Sequence, residues 1–239
     1  DIGLQTRRGT GYVYSSKHTT HEQAEQDLRT YLGSVSNGLE ARKIQMNIGY
    51  RDKFWHKNCV AIGLSQGFVE PLEATGLLVF DATAKMLAQQ MPANRAHMDI
   101  VGKQFNQRVR SSWDKVIDFI KLHYFISKRD DSQFWLDNRN PSSCPDSLLE
   151  RLELWKYQVP SAYDFASGFE IFNLENYLYV LYGMGFKTNI DHIQHKLTDK
   201  QKAETFFKQL EQHGKTMVSQ LPEHRALIEK IKKYGVSKH

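Results

Sequence analysis

Apolar residues recur at three- and four-residue steps through Phe105, Val109, Trp113, Ile117, Ile120 and Tyr124, which predicts one long helix from about Asn94 to Lys128 packed into a core. Two other segments alternate instead. Ile44, Met46 and Ile48 interleave with Gln45, Asn47 and Gly49 as in a half-buried strand, and Cys59 to Ile62 form an apolar run suited to a strand buried on both faces. The two lie close enough to pair as a hairpin. Tyr12, Val13 and Tyr14, after two glycines, read as a strand entered through a tight turn.

Further helices follow from caps and stripes. Thr19 with Glu22 is a capping-box pattern for a helix through Ala24, Leu28 and Tyr31 that stops at Gly33. DNRNPSSCPDS is a loop between helices, Ser147 to Tyr157 is helical, and Asn173 to Tyr182 is helical up to a GMG stop. In the last 40 residues one or two amphipathic helices, broken at Pro222, place Phe206, Phe207, Leu210, Met217 and Leu221 on an inner face. Helices thus outweigh strands, giving a mainly helical α+β fold.

The 239 residues suffice for one or two domains with a core, and 40% hydrophobic residues are a globular proportion. The net charge of +5 comes from 32 basic residues scattered among 27 acidic ones, so no nucleic-acid surface is indicated, and the lysines at 230–238 suit a helix end. No apolar run is long enough for a membrane span, and the first residues lack a signal-peptide core. Two cysteines, Cys59 and Cys144, make no disulfide framework and fit a cytoplasmic setting. His56 and Cys59 have H-x-x-C spacing but no matching second cluster, so no metal site is expected. Neither a P-loop, a G-x-G-x-x-G fingerprint nor a G-x-S-x-G elbow occurs.

The chemistry concentrates between Trp55 and Phe80, in WHKNCVAIGLSQGFVEPLEATGLLVF. Gly63 and Gly67 permit a turn, Pro71 fits the first position of a helix, and Glu70 and Glu73 sit where the positive end of a helix dipole favours carboxylates. The free amides of Thr75 and Gly76 lie close by, so the turn can hold a small anion or a cofactor edge. Read without any likeness, the segment is more simply a well-capped helix start with acids in its first turn.

The run NCVAIGLSQGFVEPLEATG, preceded by Arg51 and Trp55, resembles the segment of flavin-dependent tryptophan halogenases that carries their glutamate and halide site. RRGTGYVYS resembles a second family segment. In the family it follows a W-x-W-x-I-P motif, of which only Asp1, Ile2 and Gly3 remain, with glycine in place of the proline; the chain is therefore read as the C-terminal part of a longer protein. The resemblance spans roughly residues 1–186. It implies an FAD-binding monooxygenase-like fold, with residues 1–76 ending the mixed-sheet flavin domain and residues 77–239 forming a helical substrate-side domain.

The resemblance also implies a reaction. Reduced FAD, supplied by a separate flavin reductase, and oxygen convert chloride or bromide into hypohalous acid, which meets a lysine and a glutamate at an electron-rich aromatic substrate. Glu73 matches that glutamate, and Thr75, Gly76 and Leu77 match the halide- and flavin-binding residues. Ala74 stands where the family usually has serine, and the family's lysine and dinucleotide glycines have no counterpart in this sequence. FNLENYLYVLYGMG resembles the substrate segment: Asn176 and Tyr177 are retained, whereas Ile171, Phe172 and Ser167 replace the phenylalanine, tryptophan and ammonium-binding glutamate of the enzymes acting on free tryptophan. Loss of that carboxylate implies an indole-like or larger aromatic substrate. A homodimer would match the family. The alternatives are a related FAD-dependent aromatic hydroxylase and a non-enzymatic helical module that binds acidic partners through its basic tail.

Overall fold

The structure, a computed structural model, describes residues 1–165, 170–196 and 198–236. It divides into a unit of residues 1–189 and a unit of residues 190–239. The first unit runs β1 (Ile2–Gly3), β2 (Arg8–Gly9), α1 (His21–Leu32), β3 (Gly49–Tyr50), β4 (Trp55–His56), β5 (Cys59–Val60) and β6 (Gly67–Phe68). It continues as α2 (Gly76–Gln89), α3 (Met98–Phe125), α4 (Gln133–Asn138), α5 (Asp146–Trp155) and α6 (Leu174–Gly183). The second unit contains α7 (Lys200–Gln220) and α8 (His224–Tyr234).

The long apolar stripe forms as expected and becomes α3. Phe105, Val109, Trp113, Val116, Phe119, Ile120 and Leu122 are buried along it, with Leu148, Leu152 and Trp155 of α5, Tyr177 and Leu181 of α6 and Val79 and Met86 of α2 in the same core. Burying side chains of this size at about 1.5–3 kcal/mol each is what holds so long a helix in place.

The strands differ from expectation. Among the described residues all six are two residues long and form three antiparallel pairs, β1 with β2, β3 with β6 and β4 with β5. Residues 41–48 form no strand, and Ile44 and Ile48 are exposed. The hairpin closes inside residues 55–60 instead of joining 44–48 to 59–62, and Cys59 is exposed. Tyr12 to Tyr14 also form no strand. Alternation is stabilised only where a sheet buries one face, and among the described residues no sheet exceeds two strands.

Helix ends shift as well. The cap of α1 is Thr20, whose Oγ1 accepts from Gln23 N–H at 3.2 Å, one residue later than expected. Gly33 ends it with φ 65°. The helix expected at Pro71 starts instead at Gly76, after a 3₁₀ turn at Leu72–Ala74. The loop between α3 and α5 contains the short helix α4 and a 3₁₀ turn at Pro141–Ser143. In the second unit Phe206, Phe207, Leu210, Met217 and Leu221 are exposed and not on an inner face, since a pair of helices covers little of so wide a stripe.

The close approach of β3 and β6 requires glycine. A Cβ on Gly67 would lie 2.7 Å from Tyr50 Cβ and 2.9 Å from Tyr50 Cα. We expect Gly67→Ala to destabilise the full protein by about 1–3 kcal/mol through overpacking. Gly183→Ala, in α6 with nothing within 4 Å of the added carbon, serves as the control that loses no stability in the same denaturant titration.

Candidate active site at the turn before helix α2

The turn is held from below by Gln66. Its fully buried side chain donates Nε2–H to Thr83 Oγ1 at 3.0 Å, and its Oε1 accepts from Trp113 Nε1 at 3.4 Å. Thr83 in turn donates to Val79 O at 2.9 Å, so one amide ties the residues after β5 to both α2 and α3. Asn106 of α3 does the same for β4: its Oδ1 accepts from Phe54 and Trp55 N–H at 2.8 and 2.7 Å, and its Nδ2 donates to Trp55 O at 2.9 Å. The Trp55 ring lies over Gly102, where an added Cβ would meet it at 3.3 Å.

Past β6 the backbone enters a rare conformation. Glu73 has φ 64°, ψ 6° and Ala74 has φ 51°, so two consecutive residues with a Cβ occupy the left-handed region, at a cost of about 1–2 kcal/mol each. The reversal puts Glu73 beside α3, where its Oε1 lies 3.0 Å from His123 Nε2. His123 Nδ1 is 2.8 Å from the backbone oxygen of Phe119. The chain then turns into α2, whose first hydrogen bond runs from Val79 N–H to Thr75 O, leaving the amides of its first turn ahead of the helical ladder.

Thr75 is buried and its Oγ1 has no hydrogen-bond partner among the described residues. Such a hydroxyl costs about 1–3 kcal/mol unless something binds it. Beside it Leu77 and Leu78 of the first turn are 80% and 54% exposed. An unsatisfied donor, free helix amides and an uncovered apolar turn together fit an anion and the flat edge of a cofactor. Glu70 faces Tyr124, whose phenol is pushed up to about 12, first by burial and then by that carboxylate.

Phe119 joins this turn to residues 171–177. Its ring meets His123 edge-on at 4.9 Å, stacks on Phe172 at 3.9 Å and meets Tyr177 edge-on at 4.9 Å. Phe172 is buried and Ile171 is half-buried against the same core. Asn176 is engaged in a helix cap: its Oδ1 accepts from Asn173 N–H at 3.0 Å, which leaves its amide hydrogens for other partners. Ser167 lies outside the described residues. The spacing reading missed His123 and Phe119, which carry no motif and are reached only through the fold.

Arg151 and Glu170 were missed too. Arg151 Nη1 donates to the Tyr177 hydroxyl at 3.2 Å, its Nη2 donates to Asp164 O at 3.3 Å, and Nη2 lies 3.7 Å from the buried Glu170 Oε2. Burial pushes the Tyr177 phenol up despite the guanidinium beside it. The amine of Lys121, lowered by burial, donates to Asn138 and Ser143 at 2.8 and 2.9 Å. Among the described residues no three His, Cys, Asp or Glu side chains gather as a metal site, and no helix is long and apolar enough to cross a membrane. A surface cleft of about 400 Å³ lined by Trp55, Met98, Gly102 and Asn106 includes none of Glu73, Thr75 and Phe172.

The tryptophan halogenase family profile matches residues 1–199. Tryptophan 6-halogenase SttH of Streptomyces toxytricini is 35% identical over 92% of this chain and 42% of its own length. The tryptophan halogenase structure from Shewanella frigidimarina NCIMB 400 superposes with a TM-score of 0.86 and is 42% identical, covering 95% of this chain and 44% of that one. Tar14, a tryptophan C-6 flavin-dependent halogenase from taromycin biosynthesis, gives a TM-score of 0.85 at 34% identity, over 92% of this chain and 44% of its own. The chain thus spans less than half the length of these relatives.

Two stability measurements probe the geometry. Ala74→Gly removes a left-handed Cβ and is expected to stabilise the protein by about 1 kcal/mol in denaturant unfolding. Arg151→Ala leaves the Glu170 carboxylate buried without its counter-charge and is expected to cost about 3–5 kcal/mol.

Proposed function

Because the chain belongs to the tryptophan halogenase family, we propose that it is the substrate-side part of a flavin-dependent halogenase acting on an electron-rich aromatic, tryptophan or an indole-like ring. The observation that carries this reading is the Glu73 carboxylate, held in a left-handed turn directly ahead of a helix start whose Thr75 hydroxyl has no partner among the described residues. Residues 1–76 then complete the flavin-binding domain, and residues 77–239 form the helical substrate side.

Thr75 and the amides of Gly76 and Leu77 would hold chloride or bromide, where the positive end of α2 favours an anion. Leu77 would face the flavin with its exposed side chain. Reduced FAD, when bound, supplies with oxygen the two-electron oxidation that makes the halide electrophilic. Glu73 orients the resulting hypohalous acid by a hydrogen bond. As the carbon–halogen bond forms and the halogen–oxygen bond breaks, the oxygen leaves as hydroxide. The Glu73 carboxylate then takes the proton from the ring carbon, and the C–H electron pair restores aromaticity. Phe172, Ile171 and the amide of Asn176 line the substrate side in this scheme, with Ser167 at the place of the family's ammonium-binding glutamate. A separate flavin reductase, a homodimer and a cytoplasmic setting complete the proposal.

The test is an assay of the full-length protein with reduced FAD, oxygen and bromide, on indole and on tryptophan. We expect brominated product, a loss of about 10²–10⁴ in kcat for Glu73→Gln, and an increase of about tenfold in the bromide KM for Thr75→Val from loss of a hydrogen bond to the anion. Oxygenated product formed equally well without halide would overturn the halogenase reading in favour of a hydroxylase.

A further inference from the structure

The contact between Glu73 and His123 cannot be made by a carboxylate and a neutral imidazole in the tautomer that the fold imposes. The Phe119 carbonyl oxygen can only accept, so the His123 nitrogen 2.8 Å from it, Nδ1, carries a hydrogen. A neutral ring would then present a lone pair at Nε2, 3.0 Å from a carboxylate oxygen that also has only lone pairs. One proton must lie between them. It belongs either to an imidazolium facing a carboxylate or to a carboxylic acid facing an imidazole.

Two helix ends decide between these forms. His123 is in the last turn of α3, where the negative end of the helix dipole favours a cation. Glu73 stands immediately before α2, where the positive end of another helix favours an anion. Each residue thus belongs to the helix end that favours its charged form. Among the described residues Glu73 is the only acidic group within 4 Å of the imidazole nitrogens. The ring itself is fixed edge-on against Phe119, and its side chain is 17% exposed against 38% for Glu73.

We propose that His123 is the positioning residue of this site, donating Nε2–H to Glu73 Oε1 and fixing it, so that Oε2 is the oxygen that receives the proton from the substrate ring. The step balances as a proton transfer alone. The ring C–H bond breaks, its electron pair returns to the aromatic system, the proton bonds to Oε2, and the Nε2–H hydrogen bond to Oε1 persists until the proton passes to solvent. The catalytic part of this inference rests on the halogenase reading above, while the protonation state does not.

The test joins a spectroscopic and a kinetic readout on the full-length protein. Long-range ¹H–¹⁵N spectra of the imidazoles at pH 7, with His123 assigned by its loss in His123→Gln, are expected to show both nitrogens protonated. In Glu73→Gln, whose amide donates to Nε2, that nitrogen becomes unprotonated while Nδ1 keeps its hydrogen. His123→Gln is expected to lower kcat about 10- to 100-fold, part of the usual general-base contribution, with the aromatic KM unchanged within about twofold. An unprotonated Nε2 in the unsubstituted protein, or full kcat in His123→Gln, overturns the proposal. If no halogenated product forms at all, the proposed function fails, and the imidazole spectra still decide the protonation state.

Discussion

The structure around Glu73 depends on one buried amide. Gln66 sits between α2 and α3 with no exposure, and it engages Thr83 on one helix and Trp113 on the other. A buried primary amide without partners costs several kcal/mol, so this position is stable only when both helices are in register with the turn. The backbone of the same residue accepts from Arg51 N–H at 2.9 Å, which ties in the segment that leads to β4. Everything from β6 to the start of α2 hangs from that point, including the two left-handed residues. Their strain persists because the flanking contacts over-determine the path.

A chain held in this way brings two helix ends of opposite polarity to one place. The N-terminus of α2 and the C-terminal turn of α3 face a carboxylate and an imidazole, each at the end that suits its charge. The same N-terminus leaves Thr75 Oγ1 without a hydrogen-bond partner among the described residues. A turn selected for stability alone would cap that group with its own side chains. Here Ala74 offers no hydroxyl, and Glu73 is directed to α3.

Legibility in the sequence followed the range of the forces. The α3 stripe was readable because its signal is local and repeated over 28 residues. The turn at residues 63–76 was readable from glycine, proline and acidic residues, although the start of the helix moved from Pro71 to Gly76. That shift turned on the left-handed pair, which no composition rule signals. The strand expected at 44–48 failed because alternation reports a half-buried face only when a sheet supplies the cover. His123 lies 50 residues from Glu73, and Phe119 reads equally well as ordinary core. The place of Asn176 in a capping box was not legible, because it depends on where the helix at Leu174 begins.

Beside α6 a buried carboxylate is held by an ion pair. Glu170 is 7% exposed, and Arg151 holds its charge at 3.7 Å while also engaging Tyr177 and the Asp164 backbone. Another cation could recruit Glu170 only by displacing a guanidinium that is anchored on the Tyr177 hydroxyl and the Asp164 backbone oxygen and lies over the Phe165 and Tyr177 rings at 5.2 and 5.5 Å. The Glu170 carboxylate is therefore committed to its ion pair with Arg151, and the Phe119–Phe172 stack beside it is buried aromatic packing.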